Sequence, residues 1–359
     1  DRTYHNKIDF ELKQYVYADN MFYKYNYEIE NVYYCSNNVI IENFVPKKLP
    51  EHKILLDYFV FDMKEKEVYT KVDDSFIYDF KNIEHIEIKN NVLTVKLKDK
   101  EDVKITFDQD RRITGYHNMN TTTVKNSYLW RNKYLKDLFL PNLTDVGNSF
   151  LCNNNVLESL NLPNLVSVGD YFLSGNNQIT NLFLPNLCEV EDSFLQYNHS
   201  ISNLSLPKLS KVGSFFLFYN DCLKNLSLPN LSIVGNSFLY FNHLIENLYM
   251  PNLTETEIDF LYNNNKLQSL YLPKLAIIKR GFLHENNSLE ALSLPILRKI
   301  EGTTFLLGNS SLKSLSLPKL FKQGVAMLKQ NAHLRGLLAK QQKNFQNFSK
   351  RTVEEEYQV

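Results

Sequence analysis

The feature that most restricts this chain is a phrase that returns at a fixed interval. Taking the proline of Leu-Pro-x-Leu as the marker, it falls at Pro141, Pro163, Pro185, Pro207, Pro229, Pro251, Pro273 and Pro295, each 22 residues after the last, and then at Pro318 after 23. The other positions keep step. Two past the proline stands leucine, from Leu143 to Leu320; five past it stand Val146, Val168, Val190, Val212 and Val234, then Thr256, Ile278 and Ile300. Nine past it stand Phe150, Phe172, Phe194, Phe216, Phe238, Phe260 and Phe282, each followed by leucine, and thirteen past it Asn154, Asn176, Asn198, Asn220, Asn242, Asn264 and Asn286. A fixed period of this length marks stacked supersecondary units, each too small to bury its apolar face alone.

The period predicts the shape of one unit. Leu-x-Leu alternates with period two, so both leucines point inward and the middle residue outward, as in a short strand. Proline then ends the strand, because it donates no ladder hydrogen bond. Val, Phe and Leu fill the interior from the remaining arc. The recurrent asparagine is placed to satisfy buried backbone groups at a turn and to bond along the stack. The glycine six past the proline (Gly147, Gly169, Gly213, Gly235) reads as a positive-φ turn, with Glu191, Glu257, Lys279 and Glu301 replacing it in other units. The expectation is an α/β-type solenoid with a parallel strand face.

In its Gly, Phe and Asn placement the phrase resembles the Treponema-type, or BspA-like, leucine-rich repeat. It departs from that family's usual form by one residue missing after the proline and by Leu in place of part of an Ala-Phe phrase. The resemblance implies a bacterial protein, extracellular or at the cell surface, with an adhesion-like role. Secreted effectors that join Leu-Pro repeats to a ubiquitin ligase fit less well, since their repeats are shorter and no cysteine follows Cys222.

The flanks differ from the repeats. Residues 1–128 read as a β-rich or α+β domain that caps the solenoid, with apolar or alternating segments Phe22–Tyr34, Val39–Phe44, Ile54–Phe61 and Val68–Val72. Ile83–Phe107 reads as a meander with turns at Asn90-Asn91 and at Lys98–Glu101. The repeats occupy 129–320. Residues 321–359 read as a C-terminal capping helix over Val325–Leu338, followed by a polar tail.

Composition then removes function classes. Forty Lys plus Arg balance forty Asp plus Glu, so no global field favours nucleic acid. No apolar run is long enough for a transmembrane helix, and polar Asp1–Asn6 do not read as a signal peptide. Cys35, Cys152, Cys188 and Cys222 lack metal-ligand spacing and read as free thiols. His199 and His243 share a repeat position two units apart, about 10 Å by strand spacing, too far for one ion. Carboxylates such as Glu189 and Glu191 read as a solvated arc. No nucleotide, hydrolase or metalloprotease phrase occurs. The expectation is no catalytic residue, no metal and no cofactor.

The strand face carries the functional expectation. Its outward residues run Phe139, Asn161, Phe183, Ser205, Ser227, Tyr249, Tyr271, Ser293 and Ser316, with Asn181, Asn203, Asn225 and Asn247 two positions earlier in their coils. Rings among small hydrogen-bonding side chains are the makeup of adaptable binding surfaces. Phe139, Phe183, Tyr249 and Tyr271, with Asn161, Asn181, Asn203, Asn225 and Asn247, are therefore the candidate contacts of a monomer that binds a protein or glycan. The alternative is a secreted effector or toxin whose N-terminal domain acts while the repeats choose the target. A perturbed acid or histidine there would mark it, with His85 and His117 the first to inspect.

Overall fold

The computed structural model describes strand backbone within residues 2–46, then residues 51–56, 59–70, 80–130, 132–302 and 304–320, with Leu334, Gly336 and Leu337. Tyr27–Cys35 and Asn38–Pro46 pair as an antiparallel hairpin. Lys53–Leu56, Phe59–Asp62 and Glu67–Thr70 form a meander. A second meander, Ile83–Lys89, Val92–Leu97, Val103–Phe107 and Ile113–His117, turns at Asn90 and Asn91, both left-handed at φ 51° and 59°. That pair of positive φ values suits a tight hairpin. Its last strand then pairs in parallel with Asp137–Phe139, matching Gly115 to Asp137 and His117 to Phe139. The antiparallel meander thereby covers the first edge of the solenoid, which would otherwise present unpaired backbone groups.

Each repeat is one coil. Asn203–Ser205 lies in parallel register on Asn181–Phe183, and Asn247–Tyr249 lies between Asn225–Ser227 and Ser269–Tyr271, always residue to residue 22 apart. A second column of two-residue strands runs Thr123–Val124, Asp145–Val146, Ser167–Val168, Glu189–Val190 and Lys211–Val212. The first of these belongs to a coil before the first proline phrase. Val124, Tyr128 and Asn132 hold the places of Val146, Phe150 and Asn154, and the pattern was hidden because Met119 and Thr121 stand where the proline and leucine recur.

The core is a column of rings. Tyr128, Phe150, Phe172, Phe194, Phe216, Phe238, Phe260, Phe282 and Phe305 are buried and stack coil on coil, with centroids 5.2–6.0 Å apart and planes within 12°. Each such pair adds about 0.5–1.5 kcal/mol beyond area burial. Beside it runs the asparagine ladder. Asn198 Nδ2 donates to the Leu173 carbonyl of the preceding coil at 2.9 Å, and Asn198 Oδ1 accepts from Asn176 N–H at 2.9 Å. The same amide-to-leucine bond recurs from Asn154, Asn176, Asn220, Asn242, Asn264, Asn286 and Asn309.

Two expectations are corrected. The solenoid is all-β, not α/β: the described coils are strands and turns, with no helical element. The reason lies in the run between the second strand and the asparagine. Residues eight, ten and twelve past the proline are left-handed, as in Ser193, Leu195 and Tyr197 at φ 62°, 55° and 57°. Their N–H groups donate to neighbouring coils, Ser193 and Tyr197 forward to Ser214 and Phe218, Leu195 back to Phe172. A right-handed helix cannot contain such alternation, nor spare those donors. The expected C-terminal helix is likewise not an element. Of Val325–Leu338 only Leu334, Gly336 and Leu337 are described, with helical backbone, and the rest lies outside the described residues.

The glycines six past the proline are also explained differently. None of Gly147, Gly169, Gly213 or Gly235 has positive φ. A Cβ on Gly147 would instead sit 2.6 Å from the backbone nitrogen of Asn126 in the neighbouring coil, so close approach is what demands glycine there.

One core position is imperfect. Thr256 is fully buried where the other coils carry Val or Ile, and its Oγ1 has no hydrogen-bond partner. Thr256→Val keeps the shape and removes the orphaned hydroxyl, so it should stabilise the chain by about 1 kcal/mol. A rise in the denaturant midpoint checks this; an unchanged or lower midpoint contradicts it.

Candidate functional site

The strand face is built by the coil itself. Inward leucines such as Leu182, Leu226 and Leu248 anchor each strand, which leaves the flanking residues outward. Phe183 is 59% exposed, Tyr249 46% and Tyr271 50%. Tyr249 and Tyr271 stack with centroids 5.2 Å apart and planes within 1°, so their faces meet along the solenoid axis. Phe139 is half-buried and tilts against His117 at 5.7 Å. Phe183 has no ring partner among the described residues. Asn203 Nδ2 donates to Asn181 Oδ1 and Asn247 Nδ2 to Asn225 Oδ1, each at 2.7 Å. Asn161 is exposed and bridges Phe139 through its backbone. The geometry therefore brings Tyr249, Tyr271, Asn225 and Asn247 together on adjoining strands, groups Asn181 with Asn203 beside Phe183, and sets Phe139 with Asn161 at the first coils.

The two histidines first to inspect for an activity each face a carboxylate. His85 is exposed, with Glu87 at 3.9 Å. His117 contacts the Asp137 carboxylate at the join between meander and solenoid. Burial pushes the Asp62 carboxyl up, but the Glu65 N–H, the Lys53 ammonium at 3.0 Å and the Lys64 N–H together outweigh it and hold it below the usual carboxylate range. That acid clamps a turn. Cys152, Cys188 and Cys222 are unbridged. Among the described residues no group of three or more His, Cys, Asp or Glu could hold a metal, and no helix is long and apolar enough to cross a membrane.

A second surface went unread in the sequence. Eleven past the proline, Phe218, Tyr240 and Tyr262 stack at 5.4 and 4.5 Å, and His284 meets Tyr262 edge-on at 4.8 Å. Twelve past it, Tyr197, Tyr219 and Phe241 stack at 5.7 and 4.7 Å. The two columns touch side by side, Phe218 on Tyr219 and Tyr240 on Phe241, both at 4.7 Å. Aligning the units at these two positions would have exposed the signal; other coils carry Cys152, Ser174, Asn153 and Gly175 there.

The family described as BspA type leucine rich repeat region matches in six copies over residues 106–216 and 212–331. Among solved structures, a leucine-rich repeat protein from Bacteroides ovatus is 13% identical, covering 66% of this chain and 96% of that one, with a TM-score of 0.28. A leucine-rich cell surface protein from Faecalibacterium prausnitzii is 11% identical, covering 65% and 82%, with a TM-score of 0.29. The pneumococcal vaccine antigen PcpA is 13% identical, covering 70% and 97%, with a TM-score of 0.28. No curated protein matches.

Proposed function

The chain belongs to the BspA-type leucine-rich repeat family, and from that premise we propose that it is a non-catalytic binding protein, bacterial and extracellular or at the cell surface, that holds a protein or glycan on its strand face. The observation that carries this reading is the Tyr249–Tyr271 pair, rigid through mutual stacking and about half exposed, beside the Asn225–Asn247 amide ladder. Aromatic anchors with few rotatable bonds lose little entropy on binding, and neighbouring amides both donate and accept. The solenoid repeats these groups at a spacing its own ladder fixes, so the surface is organised before a partner arrives.

The immobilised full chain is screened against a glycan array and a panel of extracellular proteins, and each captured ligand is re-measured on a Tyr249→Ala/Tyr271→Ala double variant. Affinity should fall at least tenfold, as expected when two ring anchors of about 1 kcal/mol or more each are lost. The thermal transition should stay close to the parent's, because both side chains are outside the core. Retained affinity on a folded double variant defeats the strand-face reading.

A further inference from the structure

We propose that the paired turn-side columns of Phe218, Tyr240 and Tyr262 and of Tyr219 and Phe241, with the carboxylates of Asp259 and Glu285, form a second docking surface that takes an extended, arginine- or lysine-bearing segment of a partner protein. This surface lies on a different side of the coil from the strand face and does not depend on it.

Three observations select that occupant. First, the rings stack on one another along the solenoid axis, Tyr240 and Tyr262 within 6° and Tyr219 and Phe241 within 16°. Their faces are thus taken up by neighbours, and Phe218, Tyr219, Tyr240, Phe241 and Tyr262 are all half-buried. A sugar docks on an open ring face, which the inner rings of these columns do not offer, unlike the lone Tyr249–Tyr271 pair flanked by Ser227 and Ser293; the aliphatic stem of a long cationic side chain packs on ring edges instead. Second, the charge is one-sided. Among the described residues neither Asp259 nor Glu285 pairs with a lysine or arginine, and the ion-pair contact present is His284 Nε2, 3.8 Å from Glu285. Burial pushes the Tyr240 and Tyr262 hydroxyls above their usual range, and Asp259 and Glu285 push the same way, with no cation opposing them. A guanidinium or ammonium placed there meets carboxylate and phenol oxygens together, and aromatic neighbours favour cations. A second copy of this chain would instead set these carboxylates against their own counterparts. Third, the rings recur coil by coil along the solenoid axis, with the two carboxylates at one end of the array, which matches an extended segment better than a compact ligand.

The test uses the full chain and two labelled peptides, six repeats of Arg-Ser and six of Glu-Ser, with cellohexaose as a neutral oligosaccharide. The arginine peptide should bind saturably and the other two should not. Asp259→Asn/Glu285→Gln should weaken it at least tenfold; asparagine tolerates the left-handed backbone at Asp259, φ 56°. Tyr219→Asn/Tyr240→Gln should also weaken it at least tenfold, and it installs residues native at the same places in other coils, Asn153 and Asn263, and Gln196. Glu189→Gln/Glu191→Gln and Tyr249→Ala/Tyr271→Ala should leave binding unchanged, the latter separating this surface from the strand face. Binding lost equally in the Glu189/Glu191 variant, or kept in the ring variant, shows general charge attraction and overturns the proposal. So does binding of cellohexaose in place of the peptide, or a concentration-dependent dimer that the ring variant abolishes.

Discussion

Phe216→Ala should cost about 3–5 kcal/mol of stability, the range for removing a fully buried ring from a core. Phe216 has no exposed surface and stacks on Phe194 at 5.4 Å and on Phe238 at 5.3 Å, so one truncation removes two ring pairs. The cavity has little means of closing, because backbone bonds on both sides hold the coil in place, such as Leu217 N–H to the Phe194 carbonyl and Leu239 N–H to that of Phe216. Repeat proteins depend on nearest-neighbour interfaces, so the loss should be felt first in the coils bordering residue 216. Denaturant unfolding gives the size and amide exchange the location. Phe216→Leu, which loses the same ring pairs but keeps much of the volume, should cost clearly less; equal costs would mean that the cavity contributes little and the lost stacking sets the penalty.

Asn198→Leu should be nearly as damaging although it adds apolar surface. Asn198 Nδ2 bonds the carbonyls of Leu173, Leu195 and Gln196, and its Oδ1 accepts from Asn176 N–H. The Leu195 carbonyl retains Asn220 Nδ2 and the Gln196 carbonyl retains Gly175 N–H. The Leu173 carbonyl and the Asn176 N–H are left unpaired in the core. Two such orphans at about 1–3 kcal/mol each predict a loss of about 3 kcal/mol or more. Asn198→Asp supplies a further check. A carboxylate facing the Leu173 carbonyl disfavours the charged form, so its folded pKa lies above the unfolded value. The variant is then least impaired in acid, and its stability relative to the parent falls as pH rises through the folded pKa. A stability difference that is flat with pH would contradict the ladder.

What was legible in the chain, and what was not, follows from which quantity repeats. The period, the inward Phe150–Phe282 series and the asparagine ladder were readable because every coil solves the same burial problem with the same residue type. The sign of φ was not. Leu195 reads as an ordinary core leucine, yet it is left-handed at 55°, and that alternation is what excludes the helix implied by an α/β class. Gly147 suggested a positive φ, whereas its requirement comes from Asn126 in another coil, a contact visible only once the coils are stacked. The outward Tyr249–Tyr271 pair could be read from the Leu-x-Leu phrase. The Phe218–Tyr240–Tyr262 column does not stand out in the same way, because the residue eleven past the proline changes from coil to coil and is a phenylalanine or tyrosine only in the middle of the array.

All of this rests on successive coils lying in parallel, residue on residue 22 apart, and distances between spin labels test that directly. In a cysteine-free background, labels replace Ser205 and Ser293, Ser205 and Ser316, or Asn161 and Ser293, all outward on the strand face. Four, five and six coils separate these pairs, so the backbone spacing predicts distances of about 19, 24 and 29 Å, rising by about 4.8 Å per coil. Narrow distributions with that increment are the expected result. Broad distributions, or distances that fail to climb with each added coil, would contradict the stacked solenoid and both surfaces built upon it.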